Sequence, residues 1–535
     1  MLDYTLLTPD AYRMAVVDLI ARLEGFIGRA RDIGDGVASI GYGYTFSRSD
    51  NVAIWQAAGI ALTLDEWAVL GRIDAAADNA TRTAIALNDF THVLSLSEAK
   101  ALLGETFGRY EGPADQLGMP GSMERAALVS VTYNRGAGAV TSKMGAFMEA
   151  VLAGNHAEAW YQIRYEAQTS LAQFQNGIAK RRYIEAETFG LHGGGGPDFG
   201  DALQAGRTYA AHRDHILAYE AAWNPESYAG QGLQDIHAEM RPAIEVVSAR
   251  FAKFVDFASE ELLVASSAQQ DLFGDGTAQD GAATDADILI GSNRANLLSG
   301  GAGRDLLVGR GGADRLDGGA GADVMIGGAG RDTFAFDDPG DRILEFRDGG
   351  WDKVIVESAG AVRVRHVEVL AVESPLPGQL TVFSNEFERI RLSKGDEHLR
   401  LVVNRLPESR EDLVIRTGAG ADVVKLVGRI DWTQWAFDQG QTKSIVFADI
   451  SAKDRIDLSA LEITALIEGV QTTGDHEGLF LIAPGAELHF SYEHPDFAYF
   501  QNTSPDWWVA DIGGGDLQPW GPVLAGALTA EHFLL

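Results

Sequence analysis

Cysteine is missing altogether from the 535 residues. Neither a disulfide framework nor a thiolate metal site can therefore hold this chain together. There is no uninterrupted apolar run of the ~18 or more residues that a membrane-spanning helix needs, and a soluble protein is expected. The opening stretch, MLDYTLLTPDAYRMAVVDLIARLEG, carries Asp3 where an export signal would be basic and has no apolar h-region, so no cleavable amino-terminal signal is expected. Basic charge is scarce, with 43 Lys+Arg against 76 Asp+Glu and a formal net charge of −33. A polyanion of that size repels nucleic acid and anionic lipid, which sets both aside as partners. The chain also lacks a Gly-x-Ser-x-Gly elbow, a His-Glu-x-x-His zinc helix and a Walker loop, and with them three common routes to hydrolysis.

What is present is unevenly spread. Residues 1–195 hold 16 Lys+Arg and 22 Asp+Glu, a net of −6, which leaves −27 for the remainder. The carboxyl-terminal two-thirds is thus either a disordered acidic tail or a region that folds when cations neutralise it. At this length three or four domains are expected. Three-to-four-residue apolar spacing predicts helices over Ala11–Leu23, Ser97–Tyr110, Ser122–Tyr133, Met144–Leu152 and Ile178–Phe189, with a hairpin at Val37–Thr45. Gly193–Gly196 followed by Pro197 marks a boundary. Residues 207–266 read as helical again, most clearly over Ile244–Val264, and Ser266–Thr284 reads as a polar linker. Beyond about 336, alternation over Arg342–Val356, Val362–Val372, Gln379–Leu392 and Leu399–Asn404 predicts strands. Trp507, Trp508 and Trp520 stand in the β-like carboxyl-terminal stretch, as core residues or sugar-stacking ones.

Sixty-two glycines are the second clue. Asp287, Asn296, Asp305, Asp314, Asp323 and Asp332 recur every nine residues, within GGAGRDLLV (300–308), GRGGADRLD (309–317), GGAGADVMI (318–326) and GGAGRDTFA (327–335). Each repeat supplies a turn in which glycine tolerates positive φ, one hard carboxylate, and one apolar residue (Leu307, Leu316, Met325 or Phe334) for a narrow core. This pattern resembles the RTX repeat, a parallel β-roll that binds Ca²⁺ between successive turns. The resemblance implies metal ligands from Gly300, Gly301, Gly303 and Asp305; from Gly309, Gly311 and Asp314; from Gly318, Gly319, Gly321 and Asp323; and from Gly327, Gly328, Gly330 and Asp332. It also implies type I secretion machinery as a partner, an uncleaved carboxyl-terminal export signal, and a secreted, extracellular protein. A lone copy, TGAGADVVK (417–425), centres on Asp422 and is either one more Ca²⁺ turn or a plain turn. Gly-x-Gly-x-x-Gly also occurs within 300–330, but no helix follows it, so nucleotide binding is not expected.

Four stretches nearer the amino terminus belong together. They are Glu24-Gly25-Phe26 at the end of an amphipathic helix, Ser39-Ile40-Gly41-Tyr42-Gly43-Tyr44, ERAALVSVTYNRGAGAV (124–140), and AKRRYIEAETF (179–189). In this order they resemble the phage-type lysozyme and endolysin family, including its pesticin-like relatives. Cleaving a glycosidic bond takes one acid at the leaving oxygen and a second group managing water or charge on the other sugar face. The resemblance assigns the acid to Glu24, which follows the mainly apolar Val16–Leu23, and a salt-bridge partner to Arg181 or Arg182. The second carboxylate is Asp32 or Asp35, because the family's usual position is occupied by Ile33; a one-residue bulge before Gly36 would bring Asp32 into place. Ser39 would orient a water. Asn134 either contacts sugar or caps its helix.

These readings combine into a multidomain chain. A mainly α, lysozyme-like domain spans 1–192, a helical segment and linker 193–284, a calcium-binding parallel β-roll 285–336, and a β-rich region with the export signal 337–535. The expected function is a secreted, calcium-dependent muramidase acting on peptidoglycan. The alternative is a surface, matrix or bacteriocin-type protein whose lysozyme-like domain binds glycan without cutting it.

Overall fold

A computed structural model describes residues 2–167, 175–223, 233–255, 258–266, 270–274, 286–346, 349–383, 387–402, 413–429, 444–447, 455–462, 478–483, 486–491 and 533–534. They divide into two compact units, Met1–Val247 and Ser248–Leu535. Among the described residues no helix is long and apolar enough to cross a membrane. Trp507, Trp508 and Trp520 lie outside them.

The first unit is helical with one small sheet. Its first helix, Pro9–Leu23, starts where the Thr8 side chain accepts from the Ala11 amide, with Pro in the first turn. Val16, Val17, Leu19 and Ile20 form its buried face, and the chain turns extended at Glu24. Capping boxes at Thr63–Glu66 and Ser95–Glu98 start two further helices, Leu64–Ala75 and Leu96–Gly104. An antiparallel sheet of Ile27–Asp32, Ala38–Gly41 and Tyr44–Thr45 packs on this core. Ile40, Tyr44, Phe46, Trp55, Phe90, Leu102 and Val129 are all buried within one cluster.

The helices Phe199–Trp223 and Ile236–Arg250 were expected in a separate segment, yet most of that stretch belongs to the first unit. A buried charge lock explains why. Arg164 donates to Glu239 at 2.9 Å and to Glu220 at 3.2 Å, and Tyr165 donates to Glu220 at 2.7 Å. Such a buried cation strongly penalises any arrangement that pulls its carboxylates away.

The second unit is built mainly from parallel strands, with one antiparallel pair among the described residues, Gly478–Ala483 on Ala486–Ser491. Parallel neighbours ordinarily need a long crossover. Here successive strands alternate between two sheets, so partners stand eighteen residues apart and a nine-residue step suffices: Leu306 pairs with Val324, and Leu298 with Leu316. Leu289, Leu298, Leu307, Leu316, Met325 and Phe334 fill the space between the sheets, all fully buried. The roll also reaches beyond the expected 285–336. Glu261–Val264 and Asp271–Phe273 are already strands of its two sheets, within the stretch expected as helix and linker. Leu262-Leu263-Val264, after Glu261, is a short apolar run in which strand and helix look alike; pairing with Asp287–Ile290 decides for strand. On the other side one sheet continues through Lys353–Val356, Val369–Val372, Arg389–Arg391 and Leu413–Arg416. A third sheet, Ala361–Val362, Gln379–Phe383, His398–Val402, Val423–Arg429, Arg455–Glu462 and Phe533–Leu534, runs beside it in sequence.

Candidate functional site

The four motifs of the first unit meet around Glu24. The Glu24 carboxylate, 28% exposed, accepts from Arg181 Nη1 at 2.6 Å. Arg181 is itself buried and donates through Nε to Glu185 Oε1 at 2.9 Å; Ser130 Oγ donates to the same oxygen at 2.6 Å. Arg182 points elsewhere, to the other Glu185 oxygen and to Asn134 Oδ1 at 2.7 Å. Of the two candidate arginines, Arg181 is therefore the one on Glu24. Asn134 turns its side chain to Arg182 near the end of the helix Met123–Arg135. Glu185 and Ser130 complete the assembly, and sequence reasoning gave neither a role at the site. Glu185 stands four residues after Arg181 in AKRRYIEAETF, where an ion pair along one helix is the local expectation, and nothing marks Ser130 out in a row of small helix residues.

Tyr133 ties the glycine turn to the same helix. Its hydroxyl donates to the Tyr42 carbonyl, and a Cβ at Gly43, where φ is +89°, would stand 2.7 Å from that hydroxyl. Burial pushes the Tyr133 phenol up, and Tyr110 and the Glu24 charge add to the shift, so this ring lies within the electrostatic reach of Glu24.

The second carboxylate is placed differently from expectation. Asp32 is exposed at the end of its strand, and its Oδ1 accepts from the Gly34 amide at 2.8 Å and the Gly36 amide at 3.1 Å. Those amides hold its carboxyl below the usual range. Asp35 is engaged in the same turn, accepting from the Val37 amide. Asp32 pairs with Ala38 while Ser39 pairs with Arg31. Paired residues share a face and successive residues alternate, so Asp32 and Ser39 project to opposite sides of the sheet. Ser39 is buried. The expected bulge before Gly36 is not where the register shifts. The irregularity falls earlier on the strand, between Ile27 and Arg31, where four steps of this strand face the two steps from Gly41 to Ser39.

In the second unit the repeat acids form two ladders. The amides of Asp287, Asp305 and Asp323 donate to Oδ1 of Asp305, Asp323 and Asp341, each to the next, at 2.7, 2.8 and 3.1 Å. On the opposite side the amides of Asn296, Asp314 and Asp332 donate to Asp314, Asp332 and Asp352, all at 2.8 Å, and the Asp352 amide donates to Glu368 at 2.6 Å. One oxygen of each carboxylate is thereby used. The other, Oδ2, is buried with no hydrogen-bond partner among the described residues in Asp314, Asp323, Asp332 and Asp352. A Cβ on Gly300 would strike the Asp305 carboxylate and the Gly318 carbonyl, and one on Gly309 the Asp314 carboxylate and the Gly327 carbonyl. The glycines keep open small hollows bordered by hard oxygens. Gly301, Gly303, Gly319, Gly321, Gly328 and Gly330 all take positive φ. Gly311 lies inside the strand Leu306–Gly311, and its neighbour Gly312 takes the turn at φ +115°; Arg310 stands at φ +78° where other repeats have glycine.

Buried anionic oxygens without a protein partner fit a bound cation, and carbonyl and carboxylate oxygens suit calcium. Asp305, Asp314, Asp323 and Asp332, with carbonyls such as those of Gly318 and Gly327, are the groups that would hold it. When bound, Ca²⁺ supplies charge neutralisation and cross-links successive turns. Among the described residues no three acidic or imidazole side chains form a metal cluster, as expected where the backbone provides much of the coordination. Asp341, Asp352 and Glu368 extend the ladders and were missed. Asp341 keeps the nine-residue spacing from Asp332 and was findable; Asp352 and Glu368 break it.

Without metal these acids are strained electrostatically. Burial pushes Asp314 and Asp323 up to about 7, against the pull of the Asn296 and Asp305 amides, and the neighbouring Asp332 and Asp341 add to the shift. Glu345 and Glu368 are likewise raised to about 7 and Asp352 to about 6, burial again leading. Raised folded-state values mean that the folded form binds more protons than the unfolded chain between the ordinary carboxylate range and about 7. Stability from this source is complete at low pH and is lost as pH rises through 7. In chelator, thermal melts of the β signal should therefore show a higher midpoint near pH 5 than near pH 8, a trend that saturating Ca²⁺ suppresses. A chelated midpoint that rises with pH would contradict the assignment.

The family model of the RTX calcium-binding nonapeptide repeat, four copies long, matches residues 282–316 and again 299–334. None of the curated proteins matches the chain. The block is thus a set of RTX calcium-binding repeats within a longer parallel solenoid.

Proposed function

We propose that the first unit is a muramidase, a glycoside hydrolase cutting the β-1,4 bond between N-acetylmuramic acid and N-acetylglucosamine, and that the chain acts outside its cell after type I secretion. The observation that carries the first half is convergence. Four motifs spread over residues 24–189 meet around one partly exposed carboxyl group through Arg181, Arg182, Asn134, Glu185 and Tyr133. Glu24 would hand a proton to the leaving glycosidic oxygen. Arg181 fixes where that carboxyl group sits, and the buried Glu185 fixes Arg181. Water activation on the far sugar face falls to Asp32 or Asp35, once either releases its turn amides. The second half rests on the repeats. At the low calcium of a cell interior the ladders repel themselves and the chain stays unfolded; at the higher calcium outside they fold.

One observation favours a second reading, glycan binding without cleavage: the Asp32 carboxylate is held by Gly34 and Gly36 and faces away from Ser39. Turbidity loss of a peptidoglycan suspension separates the two. Under the first reading Glu24→Gln lowers the rate by roughly 10²–10⁴-fold while co-sedimentation with peptidoglycan is kept. Co-sedimentation with no turbidity loss in either protein would establish the second.

A further inference from the structure

We propose a further divalent-cation site, of the hard-oxygen class that calcium prefers, outside the nonapeptide block where the turn 392–397 stacks on the turn 417–422. It is independent of the hydrolase reading. Its ligands are the Glu397 and Asp422 carboxylates, assisted by Ser393.

The contact that defines the repeat ladders recurs here. The Glu397 amide donates to Asp422 Oδ1 at 2.8 Å, as the Asp305 amide does to Asp323. Gly418 and Gly420 take φ of +85° and +158°, matching +84° and +144° at Gly319 and Gly321. A Cβ on Gly418 or Gly420 would collide with the carbonyls of Ser393 and Gly395, just as one on Gly319 or Gly321 would meet those of Gly301 and Gly303. The two turns therefore stack as repeat turns do. Yet the strands they lead into, His398–Val402 and Val423–Arg429, pair at an offset longer than that of the roll, and Ser393-Lys394-Gly395-Asp396-Glu397 is no nonapeptide.

The independent observation is Glu397 itself. It is only 2% exposed, one oxygen accepts from Ser393 Oγ, and Oε2 has no hydrogen-bond partner among the described residues. A buried carboxylate left half-satisfied is costly unless it is protonated or meets a cation. It stands beside a glycine turn whose geometry repeats that of the cation-binding turns. Two carboxylates with hydroxyl and carbonyl oxygens suit Ca²⁺, whereas zinc would call for nitrogen or sulfur.

The test uses the full chain. In crystals grown with Tb³⁺ in place of Ca²⁺, anomalous difference maps should show peaks in the nonapeptide turns and one more within bonding distance of Glu397 and Asp422. Peaks in the nonapeptide turns alone would overturn this site and leave the repeats untouched; an absence of peaks everywhere would overturn both. In solution, equilibrium dialysis at saturating Ca²⁺ should find one ion fewer on Glu397→Gln than on the parent, at unchanged circular dichroism. An equal count on a folded variant would refute the assignment. If Glu397→Gln does not fold, the maps of the parent chain decide.

Discussion

Chelating calcium from the full-length chain near neutral pH is expected to remove the β-sheet circular dichroism and the melting transition of Ser248–Leu535, while the helical transition of Met1–Val247 stays within a few degrees. The reason is electrostatic. The chain beyond residue 195 carries a net −27, and the roll buries Asp305, Asp314, Asp323, Asp332 and Asp352 in two files. Each uncompensated buried charge costs several kcal/mol, against a total stability of about 5–15 kcal/mol for an ordinary domain. A few such groups suffice to erase the fold. Protonation relieves part of this at lower pH, which is why the chelated protein should recover some structure toward pH 5. Restoring Ca²⁺ should restore the signal. A β spectrum indifferent to chelator at neutral pH would defeat the calcium-folding account and, with it, the case for assembly outside the cell.

The second large effect is expected from Glu185→Ala, which should destabilise the helical unit by roughly 3–5 kcal/mol. Glu185 is fully buried and serves Arg181, Arg182 and Ser130 at once. Its loss takes from two buried guanidinium groups the carboxylate they share. Glu24→Ala provides the contrast. That carboxylate is partly exposed and has Arg181 as its ion-pair partner, so its removal should cost at most about 1 kcal/mol. Urea melts followed by helical ellipticity compare the two. A Glu24 variant as damaging as the Glu185 variant would mark Glu24 as scaffold and weaken its proposed role as proton donor.

Much of this arrangement was legible in the sequence wherever a local rule was at work. The nine-residue spacing announces the roll because each turn needs the same glycines and the same acid. Glu24 and the Arg181–Arg182 pair stand out through the resemblance of four ordered motifs to the lysozyme family, since a glutamate at a helix end is by itself an ordinary surface charge. What escaped notice depends on contacts distant in sequence. The strand Glu261–Val264 holds a run of just three apolar residues, which its partner at Asp287–Ile290 makes a strand. Asp352, Glu368 and Glu397 left no periodic trace, since the coils become uneven in length after Arg342: Lys353 pairs with Val369, Val369 with Arg389, and Arg389 with Val414. The helices 199–223 and 236–250 look independent until Arg164 is seen to hold Glu220 and Glu239. The side of the sheet that Asp32 takes follows from its pairing with Ala38, a register that no local pattern in the strand announces.

The two acid files have a polarity. In every rung the amide belongs to the earlier coil and the carboxylate to the later one, from Asp287 onto Asp305 through to Asp352 onto Glu368. Within these files, trimming from the amino-terminal side uncovers a carboxylate, which water solvates readily, and trimming from the carboxyl-terminal side deprives an amide of its carboxylate acceptor. The acid files thus carry a direction of their own, set against backbone bonds that run the other way, as from the Val324 amide to the Asp305 carbonyl and from the Thr333 amide to the Asp314 carbonyl.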